Sequence, residues 1–225
     1  MKNNKSRKPS FHWKGATALF LLGLGIVGFL WVFLPTPTET IQLDLQEIRV
    51  PLEEGQSALL QESYQIKITA PRLIKAGKIF GYSFALIPDN QIVNVTAQDV
   101  DIYTQYQVNL VLLPDFENAM INPPGSMTTA LSSSQEPAML WKMEATGSEP
   151  VTGIFWVYLD FIPLEPTVDS FSTAVLARSV DIPVQSMLGL NTNAVAILST
   201  ASLLIALFLG TPQLRFFRKD QNAES

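Results

Sequence analysis

Met187–Gly210 reads MLGLNTNAVAILSTASLLIALFLG and carries no charged residue. A helix rises about 1.5 Å per residue, so a stretch of this length crosses a hydrocarbon layer about 30 Å thick. A second uncharged stretch, Ala16–Leu34 (ATALFLLGLGIVGFLWVFL), lies near the other end. Together they divide the chain into a basic tail (1–15), a first span (16–34), a middle region (35–186), a second span (187–210) and a second tail (211–225). The middle is large enough for one domain with its own core.

The two tails and the middle differ in charge. The first tail holds Lys2, Lys5, Arg7, Lys8 and Lys14 and no acid. The second holds Arg215, Arg218 and Lys219 against Asp220 and Glu224. Of 15 basic and 20 acidic residues in the chain, 7 and 18 therefore remain between the tails, a net charge there of -11. By the positive-inside rule both tails are cytoplasmic and the middle lies outside, giving a two-pass plasma-membrane protein. Trp13, Lys14 and Trp31 bracket the first span as interfacial anchors, and Arg215, Arg218 and Lys219 serve the second. The first apolar run is longer than a signal-peptide core, and Leu34-Pro35-Thr36-Pro37 is not a small-x-small cleavage site, so an uncleaved anchor is expected.

Within the spans, Ser202, Ala206 and Gly210 recur every four residues and fall on one helix face. This small-residue seam allows a second helix to approach closely. Gly23, Gly25 and Gly28 contain no pair at that spacing, so no glycine dimer motif is expected in the first span. Gly210-Thr211-Pro212 is expected to end the second helix.

After the Pro35–Thr40 linker the hydrophobic period changes from helical to two. Ile41, Leu43 and Leu45 alternate with polar residues, and Ile48 and Val50 then change parity, which predicts a bulge or break near Glu47. Tyr64, Ile66, Ile68 and Ala70 give the cleanest strand pattern, closed by Pro71. Phe80–Leu86, a short strand around Val93–Ala97, Tyr106–Leu112, Met127–Leu131 at an edge, Met139–Ala145, Val151–Ile162 and Phe171–Val184 follow, the last split near Arg178. Pro51–Gly55, Pro88-Asp89-Asn90 and Gly147–Pro150 read as turns, and Pro114–Ser126 as the longest irregular segment. Eight or nine strands and no body helix predict a mainly β fold, an antiparallel sandwich flanked by two transmembrane helices.

Lys67–Lys78 (KITAPRLIKAGK), followed by an aromatic strand, resembles the opening of prokaryotic immunoglobulin-like domains, where a Pro closes one strand and a Gly opens the next. Met139-Leu140-Trp141-Lys142, the Gly147 turn and Ile154–Phe161 resemble their later half. The resemblance spans Tyr64–Val184 and implies an immunoglobulin-like sandwich. It carries no catalytic residues, and this chain lacks the inter-sheet cysteine pair of antibody domains.

Several chemistries are excluded by composition. There is no Cys, and the one His, His12, lies in the first tail. The middle therefore holds no Ser-His or Cys-His nucleophile pair and no imidazole or thiolate metal site. Asp99 and Asp101 share a strand face and could meet Asp89 around calcium, but the glycine and spaced third acid of a calcium loop are missing. No cofactor, metal or nucleic acid is expected, and the absence of disulfides suits a bacterial envelope protein. The expected function is a non-catalytic interaction or assembly module held on the bilayer and meeting another envelope or membrane protein. The loops Pro114–Ser126, Ser132–Pro137 and Pro163–Ser170 are the natural contacts. The alternative is a sensor or transport accessory subunit whose body binds a ligand and repositions the spans. A chain-length regulator with a helical body and a hydrolase built on paired carboxylates are further alternatives, the first opposed by the strand pattern.

Overall fold

The computed structural model describes residues 13–45, 47–52, 57–60, 63–89, 96, 99–132, 135–165 and 169–221, with side chains as far as 210. The chain forms two compact units. One is Thr36–Gly189, and the other gathers Met1–Pro35 with Leu190–Ser225.

The Thr36–Gly189 unit is built on two antiparallel sheets. Five strands, β1 (Thr38–Asp44), β4 (Ser63–Pro71), β6 (Ile79–Asp89), β11 (Ala138–Ala145) and β9 (Ala119–Asn122), lie side by side in that order. Four more, β10 (Met127–Leu131), β8 (Tyr106–Glu117), β12 (Val151–Pro163) and β13 (Phe171–Ile182), form the second sheet. A small sheet joins β2 (Arg49–Pro51), β3 (Ser57–Leu59) and β7 (Asp99–Asp101), and β5 (Ile74–Lys75) pairs with β14 (Val184–Gln185).

The period-two pattern explains which faces are buried. Tyr64, Ile66 and Ile68 of β4, Tyr82, Phe84 and Leu86 of β6 and Trp141 and Met143 of β11 point inward. They meet Val108, Leu110 and Leu112 of β8 and Phe155, Val157, Leu159 and Phe161 of β12 in one core. Phe155 is 0 % exposed and joins the sheets. Its ring lies 5.1 Å from Tyr82, 5.6 Å from Trp141, 6.1 Å from Phe84 and 6.5 Å from Phe116.

Several boundaries differ from the sequence expectation. The expected interruption near Glu47 is a break and not a bulge: the chain leaves its sheet there, and Arg49–Pro51 joins the small sheet. β6 continues through Pro88 and Asp89, which the turn reading had separated, because Tyr64 and Ser63 still pair with them. β8 likewise runs through Pro114 to Glu117. Pro114 lies past Leu112, the last residue matched to β10, so only β12 flanks it and a missing N–H is tolerated. Much of the expected irregular segment Pro114–Ser126 is therefore strand: the chain crosses to the other sheet as β9 at Asn118 (φ 59°) and returns as β10 after a cis Asn122–Pro123 bond. β13 is not split near Arg178. Its irregularity is at Val175, which has no partner between Ala174, opposite Tyr158, and Leu176, opposite Val157. The expected strand at Val93–Ala97 and most of the Pro51–Gly55 turn lie outside the described residues.

Both ends of this unit are fixed to one turn. Thr38 pairs with Pro71, and the Arg72 N–H donates to the Pro37 carbonyl at 2.9 Å. On the other side the Ile74 N–H donates to Pro183 and the Ala76 N–H to Gln185, each at 3.0 Å. Lys75 is buried here, and burial followed by the nearby Lys78 charge pushes its ammonium below the usual range.

The second unit is a helix pair, α1 (Trp13–Phe33) and α2 (Thr192–Gln221). Both are long and apolar enough to cross a membrane, α2 through Gly210. The apolar stretch from Met187 becomes helical only at Thr192. Leu188 (φ 56°) and Gly189 (φ 76°) make a tight turn first. Asn191 then caps the helix, its Oδ1 accepting from the Ala194 N–H at 2.8 Å. Gly210-Thr211-Pro212 does not end α2, which continues to Gln221. Proline removes one donor, and an otherwise strongly hydrogen-bonded helix carries that loss.

Gly153 sits where β12 passes β8 with φ at 148°, and a Cβ there would lie 2.1 Å from the Asp115 carbonyl oxygen. Gly153→Ala is expected to cost at least about 2 kcal/mol, through backbone strain and overpacking, measured by denaturant unfolding. An unchanged midpoint would contradict this packing.

Candidate functional site

β1 and β13 are end strands of their sheets, so among the described residues each keeps one edge without a strand partner. Two hollows open beside them. The first, about 330 Å³, is lined by Glu39 and Ile41 of β1, Ile68 and Ala70 of β4, Arg72, Tyr82 of β6 and Arg178–Ile182 of β13. The second, also about 330 Å³, lies between Leu45 and Glu47–Pro51 on one side and Phe171 and Thr173–Val175 on the other.

Ion pairs border both hollows. Arg72 Nε donates to Glu39 Oε2 at 3.0 Å beside the first. Arg49 bridges Glu47 and Asp99 beside the second, with Nη1 2.5 Å from Asp99 Oδ1. Asp99 also accepts from Ser57 Oγ at 2.6 Å, from the Thr96 N–H at 2.7 Å and from Thr96 Oγ1 at 2.8 Å. The Ser57 hydroxyl, the Thr96 donors and Arg49 hold its carboxyl well below the usual range. Glu47 and Asp99 in turn raise the Arg49 guanidinium. A carboxylate so engaged is a structural tie, not a proton donor at neutral pH. Asp101 is occupied too, accepting from the Tyr103 N–H at 3.1 Å to cap the 3-10 turn Ile102–Thr104. Among the described residues no three His, Cys, Asp or Glu side chains are placed to hold a metal ion.

Tyr82 and Arg178 bring a different chemistry to the first hollow. Tyr82 is 1 % exposed, its ring 5.5 Å from Phe116. Burial pushes its phenol above the usual range, and the positive charge of Arg178 pulls the other way. Sequence reasoning singled out neither residue for binding. They are 96 positions apart by number, and only the pairing of β12 with β13 brings Arg178 opposite Phe155, the ring that Tyr82 touches.

The helix pair has its own seam. Among the described side chains of α2, Thr192, Val195, Ser199, Ser202 and Ala206 are buried, spaced alternately by three and four. This is the spacing of a left-handed pair and not a repeat of four. Ser202 and Ala206 lie on it, whereas a Cβ on Gly210 would meet nothing within 4 Å. Opposite them are Ala18, Gly25 and Gly28, buried on α1. A Cβ on Gly25 would lie 2.7 Å from Leu203 Cγ, and one on Gly28 would lie 2.1 Å from Ser199 Oγ. Thus two glycines three apart admit the neighbouring helix without the four-residue motif. Trp13 and Lys14 are exposed at the start of α1 and Trp31 is half-buried near its end. Arg215, Arg218 and Lys219 fall in the last turns of α2, with side chains outside the described residues.

No family model matches the chain, and no curated protein matches its sequence.

Two outcomes follow from this geometry. Asp99 has a folded pKa below its unfolded value, so its stabilisation is present above an unfolded pKa of about 4 and is lost as pH falls toward the lower folded value. Asp99→Asn should lower stability at pH 7 and flatten the pH dependence below about pH 4, read by unfolding midpoints at stepped pH. Gly28→Leu should weaken helix pairing by about 1–3 kcal/mol. Detergent-solubilised chain followed by circular dichroism should lose its helical signal at a lower denaturant concentration in Gly28→Leu, and an unchanged midpoint would contradict this contact.

Proposed function

We propose that this chain is a two-span plasma-membrane protein whose body is an immunoglobulin-like β-sandwich. The body stands outside the membrane as a non-catalytic interaction or assembly module, with both tails cytoplasmic. The observation that carries this reading is the side of the body where β1 and β13 leave their edges unpaired, with charged groups of both signs around two hollows. Unpaired edges and mixed charge suit recognition of another chain. Two of the acids beside the hollows are engaged in structural ties: Glu39 is held by Arg72, and Asp99 is saturated by donors. The acidic middle between basic tails supports the orientation.

A ligand-sensing accessory role is the second reading. β13 borders both hollows and continues past Pro183 into β14 and the Leu188–Gly189 turn. A ligand there would touch the strand that leads into α2.

Two measurements on intact cells test the main reading. A membrane-impermeant amine reagent should modify body lysines and spare Lys2, Lys5 and Lys8, and the reverse pattern would reject the orientation. A photocrosslinking residue at Thr173 should capture a distinct envelope protein. Absence of any adduct from that site and from the body loops would reject the interaction role.

A further inference from the structure

The first hollow carries donors that the protein itself does not use. Arg178 is half-buried there, and no described residue forms an ion pair or hydrogen bond with it, since Glu39 is taken by Arg72. Tyr82 is almost wholly buried, lines the same hollow, and has no hydrogen-bond partner for its hydroxyl among the described residues. A guanidinium offers only donors, and a phenol donates one proton. Arg178 is only half-buried and Tyr82 lines the hollow, so both donors are open to a molecule that enters it. Their common complement is an oxyanion.

The other groups narrow its charge. Glu39 and Asp181 line the same hollow, so a doubly charged phosphate meets two carboxylates where a single carboxylate meets less opposition. Asp181 is exposed and has no ion pair among the described residues, which leaves a place for a cation beside the anion. The volume, about 330 Å³, suits a molecule of only one or two residues.

We propose that the hollow between β1 and β13 binds a small zwitterion, a free amino acid or dipeptide, with its carboxylate on Arg178 and the Tyr82 hydroxyl and its ammonium toward Asp181. The proposal rests on the reading that this side of the body is its recognition surface.

The test uses the full chain in lipid nanodiscs and calorimetric titration with Ala-Ala, Ala-Ala amide, N-acetyl-Ala-Ala and inorganic phosphate. Ala-Ala should bind saturably, with Kd between about 1 μM and 1 mM. The amide, which lacks the carboxylate, should bind at least about tenfold more weakly, and so should phosphate. The acetylated peptide should lose less, because Asp181 is exposed. Arg178→Gln should reduce affinity by about tenfold or more, Tyr82→Phe by severalfold, and Arg178→Lys should restore part of the loss. Unchanged melting of these variants separates lost binding from lost folding. No saturable binding of Ala-Ala, equal binding by Arg178→Gln, or preference for phosphate would overturn the proposal. Persistent Thr173 photoadducts in those cases would leave the interaction reading standing and sink the ligand alone.

Discussion

The turn Pro71–Ala76 receives both ends of the strand-built unit, and much of the rest follows from that constraint. β1 is tied to it through Pro37 and Thr38, and β14 through Pro183 and Gln185. Because the chain must enter and leave at one place, β1 and β13 become end strands that run from the same end of the unit. No further described strand pairs with the outer edge of either. The open edges and the hollows beside them are thus a topological result as much as a chemical one.

The aromatic cluster around Phe155 performs the complementary task. It closes the interior with Tyr82, Phe84, Phe116 and Trp141, which together bury far more apolar area than aliphatic residues at those sites would. Tyr82 is the member that combines core and rim. Its ring belongs to the cluster, while the residue also lines the first hollow. Recognition chemistry placed on a core residue of a central strand is held more rigidly than the same group on a loop.

The alternating patterns in Tyr64–Ala70, Phe80–Leu86, Met139–Ala145 and Val151–Ile162 were enough to predict β4, β6, β11 and β12, because a half-buried strand must alternate. Proline is where sequence pattern and structure part. Pro88 and Pro114 read as breaks but lie inside long strands, and Pro212 lies inside α2. A missing N–H matters only where a partner is waiting for it, and the partner is a tertiary fact. The helix contact was read from spacing by four on one helix, whereas the buried set on α2 alternates three and four, and the matching glycines on α1 are three apart. Arg178 and Tyr82 were invisible for the same reason as the Arg49–Asp99 bridge: residues far apart in sequence become neighbours only through sheet order.

The unmatched residue at Val175 bears on what can pair with the outer edge of β13. A flat, continuous edge strand is a template on which a second molecule adds by main-chain pairing. The extra residue coils β13 locally, and Arg178 and Asp181 charge the stretch beyond it. A chain that pairs along β13 must match that extra residue to keep its register beyond it.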